Sequence, residues 1–417
     1  MIDPRKYKYT VVVVAEDKTQ YDITNLVENL QWIEEEEQLA ARILFTSRSD
    51  TGRTDLKKKL YNITRPGCYV GILYSYNGGQ NREAVRGRIV EWNPSAVASG
   101  ERFKVKAYDA LYDLQESQDN IYFSAGAKTK SVLQQIFKNW GIPMGTYTGP
   151  NVSHGKLVYK SEKLGTAVFK ILKDAKSRGG VEAVPRAVKD KVEILKYGSN
   201  STIYTFRQGE QVSEVSHKIS TVGMVTRVKI IGRANDNGSS PVISTVNGKT
   251  EYGIRQRILT KGDKDKLSEV KKEAQEELDE NGSPKHEITL KVPDIPDLRK
   301  GDEVFVKALT VSDGYYYVIG VTHDCDKGMM TLNLKKSTSK TTSSIAYEAG
   351  DIVSFTGSKY YVSSSSGSKA VAVKGRGKAK IMNIVSGAAH PYHLITENWK
   401  NCTVHGWVDE GTFTEEK

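Results

Sequence analysis

Apolar positions in the first hundred residues come in short runs at strand spacing. Tyr9-Thr10-Val11-Val12-Val13-Val14 is a continuous β-branched run closed by Ala15-Glu16-Asp17-Lys18, which predicts a strand buried on both faces. Residues 39–46, 68–74 and 88–92 are further strand candidates, and residues 103–108 alternate apolar with polar, as a strand with one wet face does. Asn77-Gly78 supplies hairpin chemistry, because both residues tolerate the positive φ of a tight turn. Residues 1–115 therefore predict one antiparallel barrel or sandwich.

The period then changes. Val132, Leu133, Ile136, Phe137 and Trp140 share one helical face, and Gly141 and Pro143 end that element. A second helix, residues 164–176, repeats the pattern with Leu164, Ala167, Val168, Ile171, Leu172 and Ala175 and stops at Gly179-Gly180. Strand-like pieces at 191–197 and 202–206 complete a small α+β unit over residues 116–206.

Strand spacing returns over residues 207–335. A strand is expected at 222–232, and residues 242–246 pair across Asn247-Gly248 with 251–255 as a hairpin. One helix interrupts the region: Asp263 caps residues 264–280, with Leu267, Val270, Ala274 and Leu278 as a narrow apolar stripe and Asn281-Gly282 as the stop. Its other faces are charged, which predicts a helix lying on the barrel surface. Strand candidates at 287–292, 298–306, 314–324 and 329–334 follow. Ser337 to Ser344 is a Ser/Thr/Lys tract with no apolar residue until Ile345, and residues 336–345 read as a flexible linker.

From residue 346 the chain consists of short β-type runs closed by Gly, Ser or Pro: Asp351-Ile352-Val353-Ser354-Phe355, Lys378-Ala379-Lys380-Ile381, His390-Pro391-Tyr392-His393-Leu394-Ile395 and Val404-His405-Gly406-Trp407-Val408. Their order resembles the bacterial SH3-like modules appended to phage lysins and tail proteins of Gram-positive hosts. Residues 346–417 are thus expected to form an independent SH3-like barrel.

Composition narrows the function classes. A chain of 417 residues that is 38% hydrophobic and 27% charged has material for several packed cores. No apolar run reaches the roughly 18 residues of a membrane span, and Met1-Ile2-Asp3-Pro4-Arg5-Lys6 lacks a secretory h-region, so maturation in the cytoplasm where the chain is made is expected. Cys68, Cys325 and Cys402 sit far apart and read as buried or idle thiols. The net charge of +11 raises nucleic acid as a partner. From Ala346 onward eight Lys/Arg meet seven Asp/Glu, so the body carries +10, spread among acids rather than gathered on one helix or ribbon. A solvated basic surface is expected, not sequence-specific DNA binding.

Leu298-Arg299-Lys300-Gly301-Asp302-Glu303-Val304, then Gly314-Tyr315-Tyr316-Tyr317-Val318-Ile319 and Val321-Thr322-His323-Asp324, with β regions flanking a small helical unit, resemble the XkdQ/YqbQ-type phage tail hub proteins of the late-control-D group. The resemblance covers most of residues 5–335. It implies a mainly β fold with two tube-type antiparallel barrels flanking a small helical domain. It also implies a homotrimeric baseplate hub that joins the hexameric tail tube to the trimeric spike, in a contractile phage tail or a phage-tail-like bacteriocin. Tube, spike, other baseplate proteins and the tape measure protein are the implied partners, and the appended SH3-like module adds a Gram-positive cell-wall polymer or a baseplate protein.

Candidate chemistry is sparse. His323, Asp324 and Asp326 look ligand-like but are expected at a turn, with diverging side chains. Glu34 to Glu37 are expected in a solvated loop, since four consecutive acids cannot share one face. Lys374-Gly375-Arg376-Gly377-Lys378 lacks the phosphate-loop spacing. A Cys402 dyad with His390, His393 or His405 would serve a peptidoglycan hydrolase, the alternative reading, but Cys402 sits in a run expected to be core. No enzyme, cofactor or metal site is expected. The expected partner-binding residues are Tyr360, Tyr361, Tyr392, His393 and Trp407, with Tyr392 and His393 projecting from a loop after Pro391 and Trp407 more in the core.

Overall fold

The computed structural model describes residues 3–48, 60, 62–97, 100–263, 265–337, 347, 349–385, 388–409 and 411–415. The first β region runs through strands Tyr7–Val14, Gln20–Asp22, Val27–Glu34, Arg42–Arg48, Tyr69–Tyr76, Arg82–Val97 and Gly100–Tyr108. Its hairpin turns where the sequence places it: Asn77 and Gly78 both have positive φ, at 52° and 74°. Val11 and Val13 point into a core with Trp32, Ile43, Ile72 and Phe103. Val12 and Val14 are only half-buried, so the first strand has one dry face rather than two.

The two β regions are continuous. Val27–Glu34 pairs on one side with Arg42–Arg48 and on the other with Gly314–Asp324, an antiparallel register that sets His323 opposite Trp32 and Val321 opposite Glu34. One thirteen-stranded sheet therefore runs from Gln20–Asp22 through this seam to Glu214–Ser220 at the far edge. The second region closes around Leu290, Val304, Val306, Tyr316, Val318 and Leu332.

Helices Thr129–Asn139 and Leu164–Ser177 form where the 3.6-residue period predicts them. They pack through Val132, Phe137, Val168 and Ile171 against two small sheets, Gln118–Phe123 with Leu157–Lys163 and Ala183–Val188 with Lys191–Lys196 and Met144–Tyr147. Strand Tyr204–Arg207 does not complete this unit. It pairs in parallel with Glu303–Lys307, and Phe206 is buried in the second β core.

Residues 221–284 form an excursion from the large sheet, leaving after strand Glu214–Ser220 and returning into strand Lys285–Pro293. The expected strand at 222–232 is confined to Arg227–Ile231, and the expected 242–246/251–255 hairpin does not exist. Val242–Asn247 pairs antiparallel with Arg227–Ile231, which pairs in parallel with Gln256–Thr260. Gly248 is not a hairpin turn residue. Its amide donates to the Thr226 carbonyl, and a Cβ there would lie 3.1 Å from a Leu278 methyl. Helix Leu267–Asn281 starts without an Asp263 cap, because Asp263 pairs with Arg233 instead. The helix buries Val270, Ala274 and Leu278 against Val228 and Ile230 of this three-stranded sheet, rather than lying on the large one.

At the end of the body, Lys336 is still in strand Met329–Lys336, and buried Ser337 donates to a Glu303 carboxylate oxygen. Lys336 and Ser337, expected in the linker, thus belong to the body, and the rest of the expected linker, residues 338–345, lies outside the described residues. The C-terminal region curls a seven-stranded sheet around Val353, Phe355, Ala379, Ile381, Leu394, Val404 and Val408.

Candidate functional site

Two constellations stand out, a ring-rich face on the C-terminal sheet and a charged knot at the seam of the body. In the C-terminal sheet, strands Tyr392–Thr396 and His405–Val408 pair with His393 opposite Trp407. Because side chains alternate, Tyr392, Leu394 and Thr396 face inward, while His393 and Ile395 face outward. The outward rings form a row: His393 lies edge-to-face on Trp407 at 5.2 Å and 6.2 Å from His405, and exposed Trp399 stands 5.5 Å beyond His405. Burial, reinforced by the neighbouring His405 ring, lowers the His393 pKa below that of a free imidazole, so this face is uncharged at neutral pH on the His393 side.

The expected contact residues divide. His393 and Trp407 are on this outer row. Tyr392 is not: it lies in a strand rather than a loop, is 9% exposed, and packs edge-to-face on Tyr347 and Phe413 in the core. Tyr361 is equally buried, stacked on His390 at 3.4 Å, with its hydroxyl donating to Asp409, which also holds His390. Tyr360 covers Gly406 so closely that a Cβ there would meet its ring at 2.3 Å. His405 and Trp399 complete the row but are not among the expected contact residues, although Trp399 belongs to the same aromatic-rich stretch of sequence. The alternation His393-Leu394-Ile395 opposite His405-Gly406-Trp407 held the signal.

The seam carries the second constellation. Glu34, expected in a solvated loop, is 3% exposed, whereas Glu35, Glu36 and Glu37 are exposed as expected. The Glu34 carboxylate accepts from Arg299 Nη2 and Nε, at 2.6 and 3.3 Å, and from the Lys300 backbone amide at 3.0 Å. Burial alone would raise its pKa, but Arg299 outweighs burial and holds the carboxyl at about 2. Arg299 also donates to the Ala187 carbonyl at 3.0 Å, and the Lys300 ammonium donates to the carbonyls of Glu35 and Gln38. Asp302 accepts from the Arg299 amide and from Arg186, tying in strand Ala183–Val188. Segments from both β regions and from the α+β unit thus meet at one charge cluster.

His323 also departs from expectation. It is not at a turn but inside strand Gly314–Asp324, fully buried, and its ring stacks on Trp32 at 3.9 Å. Its Nδ1 bonds Asp294 at 2.6 Å, and the Tyr9 hydroxyl donates to the other Asp294 oxygen. Asp324 pairs with Lys327, and Asp326 accepts from the Leu30 amide, so the three residues diverge. Among the described residues no group of three or more His, Cys, Asp or Glu could hold a metal ion. Cys402 is buried in the C-terminal core, and among the described residues no hydrogen bond joins it to a histidine.

A family model described as YQBQ-like matches residues 71–336, which takes in the α+β unit, the excursion and the Gly314–Asp324 side of the seam. The chain belongs to the YQBQ-like family. No curated protein matches the sequence of this YQBQ-like chain. Among solved structures, it is similar to the tail protein from Neisseria meningitidis MC58, with a TM-score of 0.55 and 14% identity over 79% of this chain and 97% of that one. It is similar to the same degree to the 43 kDa tail protein of prophage MuSo2 from Shewanella oneidensis, with a TM-score of 0.55, 14% identity and coverage of 79% and 98%. At that identity the likeness establishes a shared fold alone: a mainly β body with a small helical part, as the strand and helix spacing predicted.

Proposed function

We infer that this YQBQ-like protein is a structural component of a tail baseplate, namely the hub, a homotrimeric ring that joins a hexameric tail tube to a trimeric spike. The observation that carries the reading is the continuous sheet. Its two β regions are joined edge to edge at Val27–Glu34 and Gly314–Asp324 and locked by the buried Glu34–Arg299 pair. A ring that carries force between tube and spike needs such a body, because hinge motion between its β regions would be transmitted to both. Family membership and the fold shared with two tail proteins support the same reading. Light scattering on the full chain, alone and mixed with tube and spike proteins, tests it. A threefold mass in any of these mixtures is expected, and a strict monomer in all of them would overturn the hub.

The C-terminal sheet is the recognition element in this reading, an SH3-like module holding a cell-wall polymer or a baseplate neighbour. Its contact face is the row His393, Trp407, His405 and Trp399, since flat amphipathic rings on an outer sheet face suit sugar or peptide chains. Pull-down on Gram-positive cell wall and co-purification with baseplate proteins decide between the two ligands.

A further inference from the structure

At the root of the excursion two imidazoles face each other. His217 is on strand Glu214–Ser220 and His286 on strand Lys285–Pro293, on the same face of the sheet, where the strands run on beyond the core. His217 Nε2 lies 2.9 Å from His286 Nδ1. On its other side, His217 Nδ1 lies 2.9 Å from the Thr310 carbonyl oxygen. A carbonyl can only accept, so Nδ1 of His217 carries the hydrogen and Nε2 presents a lone pair to His286. This is the arrangement in which metal-bound histidines are held, with one nitrogen anchored to a backbone carbonyl and the other free to ligate.

We propose that His217 Nε2 and His286 Nδ1 form a two-imidazole site for a late first-row divalent cation, of which zinc is the probe. Two nitrogens about 2.0–2.1 Å from one ion lie about 2.9 Å apart at a right angle and about 3.3 Å apart at the tetrahedral angle. The spacing therefore needs little change. In the metal-free pair His286 Nδ1–H donates to His217 Nε2. Binding requires that the His286 proton sit on Nε2 instead and that both rings turn so that their lone pairs converge on the ion rather than point at each other, as they do at a centroid separation of 5.2 Å. Both rings stay neutral and no net proton leaves. Imidazole suits zinc, copper and nickel over calcium or magnesium. Water fills the remaining positions.

The placement gives the ion a mechanical consequence. Ser220 opposite Lys285 is the last pair before the chain departs into residues 221–284, and the histidines are on the two strands that form the stem. A bound ion bridges those strands and stiffens the root of the excursion.

Calorimetric titration of the tag-free full chain with zinc chloride near pH 7.5 tests the site. One ion per chain is expected, with affinity weakened at least about tenfold in His217→Ala and in His286→Ala. It should be unchanged when His393 and His405, the other close imidazole pair, are both replaced by alanine. His286 is exposed, so its loss leaves folding intact. Copper loaded at one equivalent should show two nitrogen ligands by electron paramagnetic resonance. Zinc should also slow amide exchange in strands 214–220 and 285–293. Absence of binding, affinity in either single variant equal to that of the parent, a copper spectrum without two nitrogens, or stem exchange indifferent to zinc overturns the proposal.

Discussion

Arg299 and Glu34 are 265 residues apart in sequence and meet at 2.6 Å with both side chains almost wholly removed from water. The pair closes the seam between the two β regions, and its surroundings make it expensive to break. Removing one partner of a buried ion pair typically costs about 3–5 kcal/mol, because the other is left charged and unpaired. Glu34→Gln and Arg299→Leu are each expected to destabilise the body by that amount in urea unfolding. The double variant should lose less than the sum, since neither charge is then stranded. Additive losses would mean that the two residues act independently.

The same cluster sets a pH signature. Glu34 has a folded-state pKa of about 2, below its ordinary 4.5, so its contribution is complete above about pH 4.5 and is lost as pH falls towards 2. Asp109, also buried and within electrostatic reach of Glu34, runs the other way. Burial raises its carboxyl to about 6 despite amide donors from Ala41 and Leu111, so stability it contributes at low pH is lost as pH rises through 6. In Glu34→Gln the fall in stability between pH 4.5 and 2 should shrink, and in Asp109→Asn the decline between about pH 4 and 6 should flatten. Chemical denaturation across pH 2–8 measures both slopes.

Much of the fold was legible in the sequence, and the misses share a cause. The helices at 129–139 and 164–177 and the Asn77-Gly78 hairpin follow from spacing and turn chemistry within a dozen residues. Asn247-Gly248 carries the same dipeptide but no hairpin, because the partner strand and the Leu278 side chain that occupy its space come from elsewhere in the chain. Glu34 read as solvated because the guanidinium that makes its burial tolerable lies beyond residue 290. His323 read as part of a turn that begins just after it, and its stacking on Trp32 depends on a strand pairing that no local pattern announces. At the ring-rich face the residue types were visible, but which of them pointed outward depended on strand register.

Gly301 shows how tightly the seam is built. Its φ is +99°, and a Cβ there would lie 2.3 Å from a Val184 methyl, so both backbone and packing require glycine. Gly301→Ala is expected to cost about 2–4 kcal/mol, combining left-handed strain with overpacking. Gly328, which also has positive φ but open space around its Cβ position, should lose only the strain component on the same change. Equal losses at the two glycines would refute the packing part.

The C-terminal sheet offers the clearest separation of folding from recognition. Tyr392 and Trp407 are matched across neighbouring strands only one register step apart, yet one ring faces the core and the other faces out. Tyr392→Ala removes a ring packed on Tyr347 and Phe413 and should destabilise the module by about 3–5 kcal/mol, lowering its melting temperature. Trp407→Ala combined with Trp399→Ala removes outer rings and should leave the melting temperature within a few degrees, because partly exposed side chains contribute little to folding. If the outer row is the contact face, this folded double variant loses retention on cell wall or on a baseplate partner by about tenfold or more, the scale of losing an interface aromatic. Tyr392→Phe preserves the core packing and should bind like the parent. Unimpaired binding by the tryptophan variant, together with loss of binding in a folded Tyr392→Phe chain, would move the contact face back to Tyr392.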